Sequence, residues 1–242
     1  MAIDLSPRQI DAALAGASGG LRQYEWLQSR VAGQNDFEQD PEFRRRFNRF
    51  YRVRRGREWQ DAFYGLMGRA KRESLEFRGV LDALHRATNR YEASFASKLV
   101  ATLDPSKPVI DAFVLRNVGI RLPAYADADR ATRIGEIYSQ LIFAFSTFLS
   151  GERGSYLISA FRRTYPDARV TNVKMLDLVL WQTPPRCPSC GGRDVAEIIF
   201  GMPAFDEQLK RNLRAGRVVL GGCCISDRMP QWRCGKCEHE WG

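Results

Sequence analysis

Apolar residues recur with a helical period along most of this 242-residue chain. Between about Tyr91 and Leu103, for example, Phe95, Leu99 and Leu103 lie four positions apart, which places them on one face of an α-helix. Similar apolar stripes occur throughout residues 4 to 182, with no internal repeat and no low-complexity segment. We therefore predict that this region is all helical and has its own apolar core.

Local signals predict where several helices begin and end. Ser6-Pro7 is typical of an N-cap followed by a first helical position, and Asp40-Pro41 predicts the start of another helix. Gly19-Gly20 predicts a break between two short helices within residues 4 to 33. A long helix is predicted from Ala131 to Leu149, where apolar residues are so frequent that we expect almost complete burial.

The pattern changes after Trp181. The segment TPPRCPSCGGRD brings prolines, glycines and a pair of cysteines close together, and the apolar runs at 195–200 and 217–225 favour strands. We therefore predict two domains, a helical one over residues 1–182 and a small β-rich module over residues 183–242. The fold class is mainly α.

Two Cys-x-x-Cys pairs predict a metal site in the C-terminal module. All six cysteines lie in the last quarter of the chain, where we expect no disulfides because we expect no secretion signal. Each pair can direct two thiolates at one tetrahedral ion, so we predict one structural zinc ion per chain. The predicted ligands are Cys187, Cys190, Cys234 and Cys237.

The module also resembles bacterial zinc-ribbon domains. The resemblance rests on FGMP, then GGC, then W-x-C-x-x-C-x-x-x-W, over about 55 residues. We interpret Cys223 and Cys224 as strand residues with buried thiols. Whether one of them, or His239, replaces one of the four predicted ligands stays open.

A proline-bracketed turn in residues 90 to 119 precedes the candidate for chemistry, Asp111. Asp104-Pro105 and Lys107-Pro108 stop the preceding helix, because proline removes an amide donor and disfavours the helical conformation one residue earlier. Ile110 is then extended, and Asp111 opens a second apolar helix in IDAFVLRNVG. Asp111 is therefore either an ordinary N-cap, worth about 1 kcal/mol, or a catalytic carboxylate.

This arrangement resembles the core of the helix-hairpin-helix DNA glycosylase superfamily, which includes endonuclease III and the adenine and 8-oxoguanine glycosylases. The resemblance extends from about Phe63 to Trp181, and VTNVKMLDLVLWQ at Val170 to Gln182 is similar to a late family helix that packs back on the core. In the family an aspartate follows a short apolar stretch and opens a helix, as Asp111 does. The family's glycine hairpin, which grips a DNA phosphate, corresponds to LDALHRATNRYEASF, which contains no glycine.

The resemblance implies a DNA N-glycosylase in which Asp111 acts on a flipped, modified or damaged base. The family's Schiff-base lysine corresponds to a position near Ala93 or Ser94, so we expect no lyase activity and an abasic site in an intact strand. Several relatives carry an iron–sulfur cluster after the core, but two distant cysteine pairs favour zinc. The alternative is a non-catalytic DNA-binding protein that uses the scaffold and the ribbon for recognition. Neither hypothesis identifies the base.

The charge of the chain predicts that it binds nucleic acid. The net charge is +9, and residues 44 to 57 hold eight arginines interleaved with aromatic residues. Helical spacing predicts that Phe43, Phe47 and Phe50 face the core while the arginines point outward, either toward DNA phosphates or simply into solvent. The predicted DNA-contacting residues are Arg44, Arg45, Arg46, Arg49, Arg52, Arg54, Arg55, Lys98 and Lys107.

Composition also indicates where in the cell the protein is expected. Hydrophobic residues make up 44% of the chain, which is typical of a globular protein. No apolar run reaches the roughly 18 residues that a membrane-spanning helix needs. We therefore expect a cytoplasmic monomer that binds DNA and no membrane.

Overall fold

The computed structural model describes residues 2–33, 36–223 and 229–242, and the chain divides into two compact units, Met1–Thr183 and Pro184–Gly242. The first unit is built from helices and the second contains a small sheet. The prediction of a mainly helical chain with a small β-rich C-terminal module is therefore confirmed. Within the described residues, no helix combines the length and apolar character needed to cross a membrane.

The helices of the first unit are numbered in chain order. They are α1 (Pro7–Gly16), α2 (Ser18–Gly33), α3 (Pro41–Phe50), α4 (Arg57–Glu73), α5 (Phe77–Thr88), α6 (Ala93–Leu103), α7 (Ala112–Val118), α8 (Arg130–Ser150), α9 (Glu152–Thr164) and α10 (Asn172–Gln182).

Side-chain caps fix the starts of α1 and α3 as the sequence predicts. The Ser6 backbone amide donates to Gln9 Oε1 at 2.9 Å and the Gln9 amide donates to Ser6 Oγ at 3.4 Å, which forms a capping box. Asp40 Oδ1 accepts a hydrogen bond from the Phe43 amide at 2.8 Å. The predicted break at Gly19-Gly20 is wrong. Ala17 separates α1 from α2, and both glycines lie in the first turn of α2, where glycine is well tolerated because those amides have no intrahelical acceptor.

Aromatic side chains form the core under α3 and α4. Phe43, Phe47 and Phe63 have no exposed surface, and the Phe47 ring lies 5.5 Å from Phe63 and 5.8 Å from Tyr64 between centroids. The prediction that the aromatic face of residues 44–57 points inward is confirmed. Such contacts are worth about 0.5–1.5 kcal/mol each beyond their burial, so this core holds the arginine-rich segment on a rigid base.

Burial along α8 is one-sided. Tyr138 stacks on Phe77 of α5 with centroids 3.8 Å apart, and its hydroxyl donates to the Pro108 carbonyl at 3.2 Å. On the other side, Phe143 is 71% exposed and Ile142 is 36% exposed. The expectation of an almost entirely buried helix is wrong, because α5, α9 and α10 pack against only one face of α8.

The second unit contains β1 (Val195–Ile199), α11 (Glu207–Arg214), β2 (Val218–Leu220), β3 (Trp232–Cys234) and β4 (Glu240–Trp241). The strand order is β2-β1-β3-β4, with β1 and β2 parallel and the other neighbours antiparallel. Because parallel neighbours need a crossover connection, α11 lies between β1 and β2. The sequence pattern predicts strand starts near 195 and 217 but not this helix.

Helix α3 ends in a Schellman motif with an arginine where glycine is usual. The Val53 amide donates to the Asn48 carbonyl at 2.8 Å and the Arg52 amide donates to the Arg49 carbonyl at 3.4 Å. Arg52 has φ 53°, in the left-handed region that disfavours residues with a Cβ. The chain therefore keeps a cation at this turn at some cost in stability.

Replacing Arg52 with glycine is expected to raise the free energy of unfolding by about 0.5–1 kcal/mol. Relief of the left-handed strain outweighs the larger entropy of glycine in the unfolded chain. Urea unfolding of wild type and Arg52→Gly measures the effect, with Arg49→Gly as the matched control. Because Arg49 lies within the last turn of α3, glycine there should destabilise by up to about 1 kcal/mol. Equal destabilisation by the two substitutions would contradict the strain argument.

Candidate active site and candidate metal centre

Asp111 is the N-cap of α7, and one of its two carboxylate oxygens makes the cap. Asp111 Oδ1 accepts a hydrogen bond from the Phe113 amide at 2.9 Å. The residue before it is held in place, since the Ile110 amide donates to Ser97 Oγ of α6 at 2.8 Å. Asn117 Nδ2 donates to the Thr183 carbonyl at 3.0 Å and so anchors α7 to the end of α10. The N-cap interpretation is confirmed, and Oδ2 is left for another role.

Asp111 lines an open cleft of about 420 Å³. Pockets that hold small ligands have a similar size, from about 300 to 1,000 Å³. Apolar side chains form most of the wall, and Arg116 and Arg121 bring positive charge to it. Both arginines are exposed, and neither forms an ion pair within the described part of the chain. The lining residues are Ser94, Ile110, Asp111, Ala112, Leu115, Arg116, Ile120, Arg121 and Leu122.

Lys98 lies beside Asp111 in the core of the first unit. Its side chain is buried, with Nζ 3.9 Å from Asp111 Oδ2 and 3.4 Å from the Tyr51 carbonyl oxygen. Burial lowers the pKa of Lys98; Asp111 and Asp177 oppose that shift, and Arg52 adds to it. We expected Lys98 to contact DNA, but the structure places its side chain in the core, away from the surface where a phosphate would lie.

A second buried ion pair lies on α10. Lys174 Nζ and Asp177 Oδ2 are 2.6 Å apart, with both side chains almost inaccessible to solvent. Lys174 also lies 4.6 Å from the centre of the Tyr24 ring. Burial by itself lowers the pKa of Lys174, but Asp177 and the neighbouring tyrosines raise it, so the lysine stays charged. We call Lys98, Asp111, Lys174 and Asp177 the buried ionic cluster, since Asp177 interacts electrostatically with the other three.

Sequence reasoning missed most of this cluster. Lys174 and Asp177 stand three residues apart in a segment that is otherwise almost wholly apolar. Charged residues at i and i+3 share a helix face, and in such a segment that face has to be buried. The spacing could therefore have identified a buried ion pair, whereas its proximity to Asp111 depends on the tertiary fold.

Three arginines of residues 44–57 are held by contacts within the fold. Arg44 pairs with Asp61 at 2.5 Å, Arg46 pairs with Glu42 at 2.7 Å, and Arg55 pairs with Glu92 at 2.9 Å. All three also lie over aromatic rings, with Arg44 Cζ 5.0 Å from the centre of Tyr64, Arg46 Cζ 4.0 Å from that of Trp26 and Arg55 Cζ 5.3 Å from that of Phe95. These side chains stabilise the helices as well as carrying charge.

The remaining predicted DNA-contacting residues differ in their exposure and in whether they form ion pairs. Arg49, Arg52 and Arg54 are exposed and have no ion-pair partner among the residues that the structure describes. Arg45 is 75% exposed and reaches Glu42 only at 4.0 Å. Lys107 lies apart from these arginines and lines another cleft, of about 610 Å³, beside α8. We call Arg49, Arg52 and Arg54 the free arginines.

The Cys-x-x-Cys pairs converge in the second unit as predicted. The four Sγ atoms lie within 4.8 Å of one another, with Cys187 and Cys237 3.6 Å apart and Cys190 and Cys234 also 3.6 Å apart. Four sulfurs about 2.3 Å from a shared tetrahedral ion would be separated by about 3.8 Å. The arrangement therefore fits a structural metal ion.

Two similar backbone turns present these thiols. The Gly191 amide donates to the Cys187 carbonyl, and the Glu238 amide donates to the Cys234 carbonyl, both at 2.9 Å. Gly191 and Glu238, four residues after the first cysteine of each pair, both adopt left-handed conformations. A hydrogen bond from the His239 amide and the neighbouring thiols lower the pKa of Cys237 to about 7. The neighbouring thiols raise the pKa of Cys190, so without a metal the cluster favours a thiolate at Cys237.

The other candidate ligands lie outside this cluster. Cys223 is exposed and follows the end of β2, so the interpretation as a buried strand residue is wrong. Strand β2 ends at Leu220 because its pairing with β1 ends there. Cys224 lies outside the described residues. His239 stacks on Trp241, with ring centroids 5.7 Å apart, and is not one of the four grouped residues.

No protein-family model matches the chain, and no curated protein or solved structure matches it either. Its function therefore has to be inferred from the two sites themselves.

The four-cysteine site is expected to hold one metal ion per chain and to be required for folding of the second unit. That unit buries few apolar side chains, too few for a stable core without a cross-link or a metal. Elemental analysis measures the metal. In Cys234→Ser, amide NMR resonances of Pro184–Gly242 should collapse while those of Met1–Thr183 remain dispersed. Cys223→Ser is the control and should change neither. A metal-free wild-type protein with two disulfides would overturn the assignment.

Proposed function

We propose that this chain binds DNA and is a monofunctional DNA N-glycosylase of the helix-hairpin-helix type, a repair hydrolase that excises a modified or damaged base. The observation that carries the proposal is the position of Lys98. It lies in the core between Asp111, which lines the cleft, and the Tyr51 carbonyl, one residue before the free arginine Arg52. A phosphate backbone held by the free arginines would therefore run close to the Asp111 carboxylate.

The second carboxylate oxygen of Asp111, which the helix cap does not use, supplies the chemistry. As the N-glycosidic bond breaks, the deoxyribose gains oxocarbenium-like positive charge at its anomeric carbon, which a fixed carboxylate stabilises. Oδ1 is occupied by the α7 cap, so the carboxylate is oriented, and Oδ2 is available to the sugar. Lys98 Nζ lies 3.9 Å from Oδ2 and so limits the directions from which a sugar can approach this oxygen.

A duplex has to open before this carboxylate can act. The anomeric carbon of a stacked, paired nucleotide is shielded, so enzymes that act on bases rotate the nucleotide out of the helix. The cleft beside Asp111 has apolar walls for a planar base, and Arg116 and Arg121 could contact the flanking phosphates. Position 94 is a serine, and Lys98 does not line the cleft. The expected product is therefore an abasic site in an intact strand.

The turn between α5 and α6 supports the resemblance to the glycosylase family. Asn89 caps the end of α5 with φ 54°, a conformation that asparagine adopts more readily than other residues with a side chain. The missing glycine of the hairpin is thus replaced by a residue that can make a similar turn.

A second hypothesis is a non-catalytic DNA-binding protein. The hydrogen bond from the Phe113 amide to Asp111 gives this carboxylate a structural role that requires no chemistry. In that case the free arginines, together with the metal-binding unit, would account for the whole function.

The metal in the four-cysteine site is proposed to be zinc. A closed set of four thiolates with tetrahedral spacing is typical of structural zinc. Iron–sulfur clusters of related enzymes take cysteines from one short run, whereas these two pairs are separated by α11 and three strands of the sheet. Iron with a brown absorbance in the purified protein would contradict this proposal.

Asp111→Asn is expected to keep the fold and DNA binding but to lose base release by orders of magnitude. Asparagine caps helices about as well as aspartate. Lys98 loses its charged partner, which costs some stability, but burial already lowers the pKa of Lys98, so the lysine can release its proton and the fold is kept. The neutral amide of asparagine cannot stabilise positive charge on the sugar. Base release is measured on duplexes carrying a panel of modified bases, followed by alkali to cleave abasic sites. Asp129→Asn is the control, because Asp129 precedes α8 without making a side-chain cap. Equal release by wild type and Asp111→Asn, or no release from any duplex by wild type, would favour the second hypothesis.

Reversing the charge of the free arginines is expected to weaken DNA binding regardless of sequence. Each phosphate contact that is lost should reduce the dependence of log K on log salt by about 0.9. The variant replaces Arg49, Arg52 and Arg54 with glutamate, and affinity is measured by fluorescence anisotropy across a salt series.

The control carries the same change in net charge at Arg8, Arg22 and Arg162, which are exposed on α1, α2 and α9. If both triple variants lose the same affinity, only the overall charge of the protein matters. Unchanged binding in the first variant would show that the free arginines are merely solvated.

A further inference from the structure

Two segments that line the Asp111 cleft bring an arginine and a tyrosine together beside it. Ser94, at the start of α6, and Leu122, after α7, both line the cleft. Arg90 lies four residues before Ser94 and Tyr125 lies three residues after Leu122, and Arg90 Cζ is 5.7 Å from the centre of the Tyr125 ring. The two side chains therefore meet on segments that adjoin the cleft, and neither of them lines the cleft itself.

Tyr125 is both exposed and fixed in position. It is 74% exposed, although a large aromatic side chain normally buries most of its surface. Beneath it, buried Arg130 lies 4.2 Å from the ring centre and donates a hydrogen bond to the Pro123 carbonyl, so the loop is held against α8. Arg130 and Arg90 both lie over the ring, yet most of the Tyr125 side chain stays exposed and can accept a flat group.

The charges around this ring indicate which flat group it accepts. Arg90 is exposed and has no ion-pair partner among the described residues, so it is available to an anion. An open aromatic ring with adjacent arginines is the combination that binds an unpaired nucleotide, whose base stacks while its phosphate pairs with the cation.

We propose that Tyr125 is a stacking platform for an unpaired nucleobase beside the Asp111 cleft, with Arg90 contacting the adjoining phosphate. The proposal rests on the proposed DNA-binding function and adds to it a residue that selects opened over fully paired DNA. The platform holds a base that has left the helix, and paired DNA has no free base face to offer it.

Tyr125→Ala tests the platform with two probes, a duplex carrying one unpaired 2-aminopurine nucleotide and the fully paired duplex of the same sequence. Loss of a base–aromatic stack should weaken binding to the first probe by about tenfold and leave binding to the second unchanged. Quenching of 2-aminopurine fluorescence, expected with wild type, should disappear. Tyr125→Phe should behave as wild type, and Tyr125→Leu, which keeps an apolar side chain over Arg130, should behave as Tyr125→Ala.

Phe143→Ala is the matched control, because Phe143 is an equally exposed aromatic residue on α8. It should bind both probes as wild type does. Thermal unfolding of each variant reports on the fold. Wild-type affinity of Tyr125→Ala and Tyr125→Leu for the unpaired probe, or an equal loss on both probes, would overturn the platform alone. Failure of wild type to bind either probe would overturn DNA binding and the platform with it.

Discussion

The first unit depends on charged groups that are buried together at its centre. Lys174 and Asp177 form an ion pair that is almost completely withdrawn from water, and Lys98 faces Asp111 nearby. Removing charges from water costs several kcal/mol per ion, which a partner offsets only when both charges are present in good geometry. Lys174 and Asp177 both lie on α10, whereas Lys98 lies on α6 and Asp111 caps α7. The cost therefore opposes any shift of α6 relative to α7, because such a shift would separate Lys98 from Asp111. This requirement gives the Asp111 side chain a defined position at the cleft. Purely apolar contacts would allow that position to vary more.

The same requirement connects the two surfaces on which the proposed function relies. Lys98 lies between the Asp111 carboxylate and the Tyr51 carbonyl at the end of α3, and both groups offset the cost of burying its charge. The end of α3 also carries Arg52, which keeps a left-handed conformation that glycine would adopt more easily. Strain at an exposed cation that interacts electrostatically with the buried Lys98 is the kind of local cost that functional sites tend to retain. The arginine-rich segment is thus positioned by the core as well as supported by it.

Sequence patterns predict features that depend on near neighbours better than features that depend on the tertiary fold. The caps at Ser6 and Asp40, the inward face of Phe43 and Phe47, and the convergence of the four cysteines follow from spacings of a few residues or from known ligand geometry. Burial of Lys98 and exposure of Phe143 could not be predicted in this way, because each depends on which helices cover that face. Ion pairing of Arg44 with Asp61 likewise depends on how α3 and α4 pack. The composition of the arginine-rich segment reveals its charge, whereas packing decides which of its charges stay available.

A helix cap and a catalytic carboxylate are usually treated as alternatives, but the geometry of Asp111 allows both. A carboxylate has two oxygens, and a cap uses one of them on a backbone amide in front of the helix. At Asp111 that hydrogen bond involves Oδ1, and it holds the plane of the group so that Oδ2 points elsewhere, toward Lys98. An oriented carboxylate needs no reorganisation when positive charge develops beside it, which is the condition under which electrostatic stabilisation of a transition state is largest. Capping alone would explain an aspartate at this position. The same hydrogen bond, however, can hold the carboxylate of a short helix rigidly enough for catalysis.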